Sequence, residues 1–197
     1  MNWTRRRLAD VAEVIRGVSF DNSEVRDSQA EDTLPILRAG NIQDSLDIEN
    51  DLVWVPRRRI SEEQMMRKGD IAIAMSSGSI AIVGKTARLD HDWSGSVGAF
   101  CAIIRPKPAV LDNFLDFYLR GPQFTSWRQT TGIGLNIKNL RSLSLRRFQF
   151  PFRLFPSSAA SLKFSIRLTH LGRNALKLTR LQNGYCPRCS IRCLETL

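Results

Sequence analysis

Short apolar runs alternate with turn-forming residues through the middle of the chain, from Leu34 to Arg105. Runs of about four to eight apolar residues bounded by Gly, Pro, Asn, Asp or Ser are typical of β-strands. The pattern therefore predicts strands over residues 34–37, 52–55, 71–75, 80–83 and 99–104.

Three further segments carry features of short helices. Residues 8–15 and 110–119 place apolar side chains at helical spacing, and residues 61–67 begin with Ser61, a favourable N-cap. The alternation predicts a mixed α/β (α+β) fold, with a twisted, mainly antiparallel or mixed sheet and short flanking helices. A partly helical or disordered C-terminal tail is expected to follow it.

One segment combines a turn, a strand and a polar loop. Arg67-Lys68-Gly69-Asp70 leads directly into the apolar run at 71–75. Because Gly tolerates positive φ and Asp favours turns, the pair Gly69-Asp70 predicts a tight turn entering a buried strand. Ser76-Ser77-Gly78-Ser79 and then Gly84-Lys85 follow the strand. Small residues of this kind predict a loop that lets a partner approach the backbone closely.

Four other motifs flank this segment in a fixed order. They are Leu8-Ala9-Asp10-Val11 with Ile15-Arg16-Gly17, residues 34–42, Gly98-Ala99-Phe100 with Arg105-Pro106, and residues 132–140. Taken together, the five motifs resemble a target recognition domain of the specificity subunit of type I restriction-modification systems. The resemblance covers about residues 3–150. It implies that the chain recognises a sequence in double-stranded DNA.

The resemblance also implies the partners of the chain. Modification subunits would bring the S-adenosylmethionine chemistry, and restriction subunits would bring ATP-driven translocation and cleavage. A specificity subunit usually carries two recognition domains, whereas this chain shows one, so it resembles a half subunit that could form a homodimer through its C-terminal region. No cofactor is expected in the chain itself.

Ten residues are predicted to contact DNA. Forked or bidentate side chains on the matched loops are suited to base edges, and arginines after a proline are suited to phosphates. The predicted residues are Arg38, Asn41, Arg57, Arg58, Arg59, Ser77, Ser79, Lys85, Asn136 and Lys138. For the three consecutive arginines, a solvated turn is an equally good interpretation.

Charge is distributed unevenly along the chain, whose net charge is +10. Residues 151–197 contain eight Lys or Arg and one acid, and therefore supply +7. We predict a recognition domain over residues 1–152 and a basic tail over 153–197 that adds only nonspecific attraction to DNA. No apolar run is long enough for a membrane helix, so a cytoplasmic protein without membrane contact is expected.

The tail departs from the family pattern. A proline pair and a long acidic and basic helix are expected there, but one acid and three clustered cysteines occur instead. A reading-frame change or a truncation of the gene is one hypothesis for this shift. The alternative function is accordingly a nonfunctional remnant, or a structural interaction domain, that folds but does not assemble.

Two binding motifs have competing interpretations. Gly78 and Gly84-Lys85 resemble a P-loop, but five residues separate the glycines instead of four, and no helix signal follows. A strand between two glycine turns is favoured there. Cys186, Cys189 and Cys193 have the spacing of half a zinc site, yet His170 is the one nearby fourth ligand, so unpaired thiols are favoured.

Catalytic chemistry finds no support in the sequence. His91 and His170 lack a recognisable nucleophile, and the chain has no Glu-x-Lys nuclease motif or glycine-rich methyltransferase loop. The chain is therefore predicted to be a non-catalytic component of an enzyme complex.

Overall fold

The backbone is built from short strands and short helices. A computed structural model of the protein describes residues 4–108, 110, 112–131, 139–152, 154–155 and 163–164. The strands are β1 Thr4–Arg7, β2 Ala12–Arg16, β3 Thr33–Leu37, β4 Val53–Pro56, β5 Ile71–Ala74, β6 Thr86–Arg88, β7 Ser96–Val97, β8 Cys101–Pro106, β9 Gln149–Phe152, β10 Leu154–Phe155 and β11 Lys163–Phe164. The helices are α1 Leu8–Val11, α2 Asp112–Leu119, α3 Pro122–Thr131 and α4 Ser142–Arg147.

The strands form one larger antiparallel sheet and one mixed sheet. The larger sheet has the order β2-β8-β5-β6, and the mixed sheet has the order β4-β3-β7, in which β3 runs parallel to β7. Two antiparallel pairs, β1 with β9 and β10 with β11, complete the described sheets. The predicted mixed fold is confirmed. The domain boundary at residue 152 stays a prediction, and most of the tail lies outside the described residues.

Strand β5 lies at the centre of the larger sheet, between β8 and β6. All four of its residues are fully buried, which explains why this segment is continuously apolar instead of alternating. Cys101 faces it at the start of β8, is 2% exposed, and has its pKa raised to about 12 by burial. The predicted strands at 34–37, 52–55, 71–75 and 99–104 are confirmed, as is the helix that ends at Leu119.

A buried ion pair fixes the entry to β5. The guanidinium of Arg105 donates to both carboxylate oxygens of Asp70, at 3.0 and 2.7 Å, and the two side chains are 12% and 2% exposed. The same guanidinium donates to the carbonyls of Glu63 and Met65. Asp70 also accepts the backbone N–H of Arg67 at 2.8 Å. One arginine at the end of β8 therefore holds the whole segment that precedes β5.

The predicted turn at Gly69-Asp70 is confirmed. Gly69 has φ +91°, in the left-handed region that favours glycine. The N–H of Asp70 donates to the carbonyl of Arg67, and the N–H of Gly69 donates to the carbonyl of Leu89. Both bonds tie the turn to its neighbours.

The predicted helix over residues 61–67 is wrong, because its backbone groups bond to distant partners. Besides the two carbonyls held by Arg105, the carbonyl of Gln64 accepts from the Ser96 hydroxyl at 2.6 Å, and the N–H of Met66 donates to Gly95. Ser61 and Gln64 still exchange the bonds of a helix N-terminus. The segment therefore begins like a helix but stays a turn.

Two other predicted elements also differ. Residues 80–83 form turns instead of a strand, since the chain must reverse between β5 and β6, and Ile80 is 68% exposed. Residues 8–15 are helical only as far as Val11. From Ala12 the chain pairs with β8, because antiparallel pairing buries Val14 and Ile15 in the larger sheet.

An aromatic cluster holds α2 and α3 against β9. The ring of Phe148 lies 5.0 Å from Phe124 and 4.8 Å from Trp127, and Tyr118 lies 4.8 Å from Phe150. Burial raises the pKa of Tyr118 to about 12. These packed rings fix the positions of the two helices. None of the described helices is long and apolar enough to cross a membrane.

Replacement of Gly69 by Val tests the turn. A β-branched residue at φ +91° is strained, so we expect a loss of about 1 kcal/mol or more in the free energy of unfolding. Gly40→Val is the control, because a Cβ at Gly40 meets no atom within 4 Å. Urea denaturation of the two variants measures the difference, and an unchanged midpoint for Gly69→Val contradicts the turn.

Replacement of Asp70 by Asn tests the buried pair. It leaves the guanidinium of Arg105 buried without its counter-charge, which costs about 3–5 kcal/mol. The control is Glu62→Gln, because Glu62 pairs with Arg57 but is 81% exposed. Loss of an exposed pair costs less than about 1 kcal/mol. Equal unfolding free energies for the two variants would show that the buried pair does not hold the segment.

Candidate nucleic-acid interface

Three loops meet where β3 and β5 end and β8 begins. They comprise residues 38–51, 75–85 and 98–100, and we call this surface the loop edge. The N–H of Gly98 donates to Leu37, and the N–H groups of Met75 and Ser76 both donate to the carbonyl of Phe100. These bonds place segments that are far apart in sequence beside one another.

Arg38 and Asn41 have different positions in the first loop. Arg38 is exposed, with one bond from its guanidinium to the carbonyl of Asp51 at 2.9 Å. Asn41 is 3% exposed, and its amide accepts from the Arg38 N–H and donates to the carbonyls of Asp47 and Asn50. Asn41 therefore shapes the loop, and Arg38 is the residue presented to a partner.

The second loop carries Ser77, Ser79 and Lys85. Ser79 is exposed and Ser77 half-buried, with the Ser77 hydroxyl accepting from the N–H of Ser79 at 3.2 Å. The ammonium of Lys85 donates to the side-chain oxygen of Gln43 at 3.2 Å, which joins the second loop to the first. The three predicted residues of this loop thus lie on the same surface as Arg38.

Two exposed apolar side chains on the loop edge were not predicted as functional residues. Phe100 is 70% exposed although its backbone is held by two hydrogen bonds, and Ile80 is 68% exposed. The position of Phe100 in the motif Gly98-Ala99-Phe100 was the available signal. An apolar side chain among polar loops is suited to a thymine methyl group.

Arg57, Arg58 and Arg59 lie elsewhere. They follow β4, whose end pairs with the start of β3, so they lie at the opposite end of that sheet from Arg38. Each one has an acidic partner: Arg57 pairs with Glu62, Arg58 with Glu24 at 3.1 Å, and Arg59 with Glu24 at 2.7 Å. The structure therefore does not bring these arginines together with the loop edge.

Asn136 and Lys138 lie outside the described residues. The chain that follows them returns to the loop edge, since Asn139 forms a β-bridge with Ser76 and the N–H of Leu140 donates to Met75 at 2.7 Å. Their assignment to DNA contacts stays a prediction.

The first loop is acidic. Residues 38–51 contain one cation, Arg38, and four acids, Asp44, Asp47, Glu49 and Asp51. The backbone N–H groups of Asn50 and Glu49 lower the pKa of Asp47, so its carboxylate stays ionised. A loop of this charge is poorly suited to phosphates, but carboxylates can accept hydrogen bonds from cytosine amino groups.

The glycine-lysine segment is not built as a P-loop. Gly84 has φ +77°, and Lys85 is followed by strand β6 instead of the helix that a P-loop requires. Within the part of the chain that the structure describes, no group of three or more His, Cys, Asp or Glu is arranged to hold a metal ion. The three clustered cysteines of the tail fall outside that part.

Sequence comparison finds relatives over three quarters of the chain. The specificity subunit of the type I restriction enzyme EcoKI from Escherichia coli (strain K12) is 32% identical over 149 residues, or 76% of this chain and 32% of that protein. The StySPI specificity subunit from Salmonella potsdam is 33% identical over the same length and coverage. The chain thus spans about a third of the length of these curated relatives. No protein-family model matches it.

Solved structures show the same fold at lower sequence identity. The HsdS subunit from Thermoanaerobacter tengcongensis has a TM-score of 0.55 at 19% identity, covering 76% of this chain and 32% of that one. A chain from a structure of the type I R-M system, on its complex assembly and conformational transition, has a TM-score of 0.56 at 18% identity, covering 92% and 38%. The S subunit from M. genitalium has a TM-score of 0.51 at 15% identity, covering 77% and 34%.

These likenesses define the class of protein: the fold is that of restriction-modification S subunits. The matched part of the chain belongs to the family of type I restriction enzyme specificity subunits.

The ion pairs of Arg58 and Arg59 with Glu24 predict that the stability of the fold depends on pH. Arg59, chiefly through its hydrogen bond, holds the pKa of Glu24 below its usual range. A lowered carboxyl pKa contributes stability that is present above the unfolded pKa and is lost as pH falls through the folded pKa. We expect Glu24→Gln to destabilise the chain at pH 7 and the difference to vanish in acid.

Urea denaturation between pH 7 and pH 3 measures this difference. Glu31→Gln, at an exposed position, controls for removal of one carboxylate. A constant gap between Glu24→Gln and the unaltered chain across this range would show that the pair does not stabilise the folded state.

Proposed function

We propose that this chain contributes one DNA target recognition domain to a type I restriction-modification complex and contacts double-stranded DNA through the loop edge. The observation that carries the proposal is the convergence of Arg38, Ser77, Ser79 and Lys85, from segments far apart in sequence, on one surface. Membership of the specificity-subunit family supports the same conclusion.

The charges of the loop edge indicate which kind of DNA contact it makes. Phosphate contacts position a protein on DNA, whereas contacts to base edges specify sequence. The acidic loop 38–51, with Arg38 exposed, is suited to base edges. Arg57, Arg58 and Arg59 would serve at most as a distant phosphate contact, because their charges are already balanced by Glu24, Asp21 and Glu62.

The chain acts in this proposal without chemistry of its own. Modification subunits would methylate and restriction subunits would cleave the DNA, in the cytoplasm, where the DNA is found. The chain spans about a third of the length of its relatives. Pairing of two copies through residues 153–197 is part of the proposal, and light scattering of the purified chain tests it.

A selection experiment tests the proposed DNA contacts. The full chain, supplied with its modification subunit, is used to enrich a bound motif from a library of randomised duplexes. We expect Arg38→Ala and Asn136→Ala each to relax the motif at one position, at a cost of about 1–3 kcal/mol for that base.

Arg58→Ala is the matched control, since Arg58 is 69% exposed at the opposite end of the mixed sheet. It is expected to leave the motif unchanged. An intact motif with both Arg38→Ala and Asn136→Ala would refute the assignment of base contacts to these two residues.

A further inference from the structure

A polar cleft of about 200 Å³ opens beside the loop edge, between the two long loops and helices α2 and α3. Its lining is Gln43, Asp44, Gly84, Lys85, Thr86, Leu119, Arg120, Thr125 and Arg128. Three of these residues are cations and one is an acid. We propose that this cleft binds one phosphate group of the DNA backbone, held by Lys85 and Arg128. The inference rests on the proposed function and deepens it.

Lys85 and Arg128 bring two positive charges together without neutralising them. Lys85 donates to the neutral amide of Gln43, and Arg128 donates to the carbonyl of Val83 at 2.7 Å. Among the described residues, no acid forms an ion pair with either side chain. Both cations line one cleft, and a bound phosphate can accept charge-assisted hydrogen bonds from such groups.

Arg120 differs from these two cations. Its guanidinium pairs with Asp116 at 2.9 Å and donates to the carbonyl of Asp44 at 2.6 Å. Burial raises the pKa of Asp116, while its contact with Arg120 opposes that shift. Arg120 therefore joins α2 to the first loop and serves as a wall of the cleft.

Thr86 also lines the cleft. Thr86 is 6% exposed, and within the described part of the chain its Oγ1 has no hydrogen-bond partner. A buried polar group without a partner is costly. The cleft thus offers two cations to a ligand, and Thr86 forms part of its wall.

Gly84 leaves room for the side chain of Arg128 in the cleft. A Cβ at Gly84 would lie 2.8 Å from the Cδ of Arg128, too close for an ordinary contact. The stem of Arg128 therefore packs directly on the backbone of Gly84, immediately before Lys85. Gly84 thus gives Arg128 space beside the backbone, and Lys85 contributes a positive charge to the cleft. This arrangement differs from that of a P-loop.

The charge distribution favours DNA as the source of the phosphate. The neighbouring loop 38–51 is acidic, and the arginines after β4 are paired with acids, so neither is suited to hold the backbone near the base-contacting residues. Lys85 joins the cleft to that loop through Gln43. A phosphate in the cleft would position the duplex against the loop edge.

The salt dependence of DNA binding tests the proposal. Each phosphate contact contributes about 0.9 to the slope of log K against log salt concentration. The full chain with its modification subunit is compared with the double variant Lys85→Gln with Arg128→Gln. We expect the variant to reduce the magnitude of the negative slope by about 0.9, so that binding depends less on salt, while the enriched motif stays intact. Lys68→Gln is the control, because Lys68 is exposed before β5, at the end of that strand away from the loop edge, and it should leave the slope unchanged.

Two further variants and one titration complete the test. Arg128→Lys keeps the positive charge, so it should retain the slope of the unaltered chain. This variant keeps the test available if Arg128→Gln fails to fold. Inorganic phosphate, titrated into the isotope-labelled full chain, should shift the resonances of Gly84, Lys85 and Thr125. Phosphate binding together with an unaltered DNA slope would indicate a free phosphate compound and would overturn the proposal, as would an unaltered slope without phosphate binding.

Failure of the proposed function gives a different result. If the unaltered chain and its modification subunit bind no DNA and enrich no motif, the proposed function itself is wrong. The assignment of a DNA phosphate to the cleft is then wrong as well. If they enrich a motif whose salt dependence the cleft variants do not change, only the cleft assignment is wrong.

Discussion

The buried pair between Asp70 and Arg105 is the constraint on which the rest of this fold depends. Arg105 lies near the end of β8, Asp70 directly precedes β5, and the same guanidinium donates to the carbonyls of Glu63 and Met65. This contact fixes the start of the central strand. Strand β5 is fully buried from Ile71 to Ala74, so the position of its start also determines where the loop at its far end begins. The polar contacts at one end of the sheet thereby set the geometry of the loop edge at the other.

Charge is separated across the mixed sheet. At one end of β3, three arginines are balanced by acids, so they stabilise the fold and attract DNA weakly. At the other end, Arg38 is exposed beside an acidic loop, and Lys85 and Arg128 line a cleft and form no ion pair with any acid in the described part of the chain. The proposed DNA contacts therefore depend on where cations lack partners, and the net charge of the whole chain is a poor guide to them.

The aromatic cluster links this arrangement to the helices. Phe148 packs on Phe124 and Trp127, which fixes α3 and with it Arg128, the residue that follows Trp127. Arg120 performs a related task at the end of α2, where it bonds to the carbonyl of Asp44. The cleft is thus assembled from a loop, a hairpin and two helices, and no short sequence motif contains it.

The sequence by itself determined the elements whose signals are local: the turn at Gly69, the buried strand β5, three of the other six strands of the two main sheets, and the ordered motifs that resemble the family. These signals reside in a few consecutive residues. Tertiary structure decided the rest, because the deciding partners are distant along the chain. Arg105 binds the carbonyls of Glu63 and Met65 in the segment predicted as a helix, antiparallel pairing with β8 begins directly after Val11, and Glu24 and Asp21 pair with Arg58 and Arg59. The meeting of Lys85 with Arg128 likewise required the packed helices, since periodicity along a chain carries no information about which remote side chains will share a cleft.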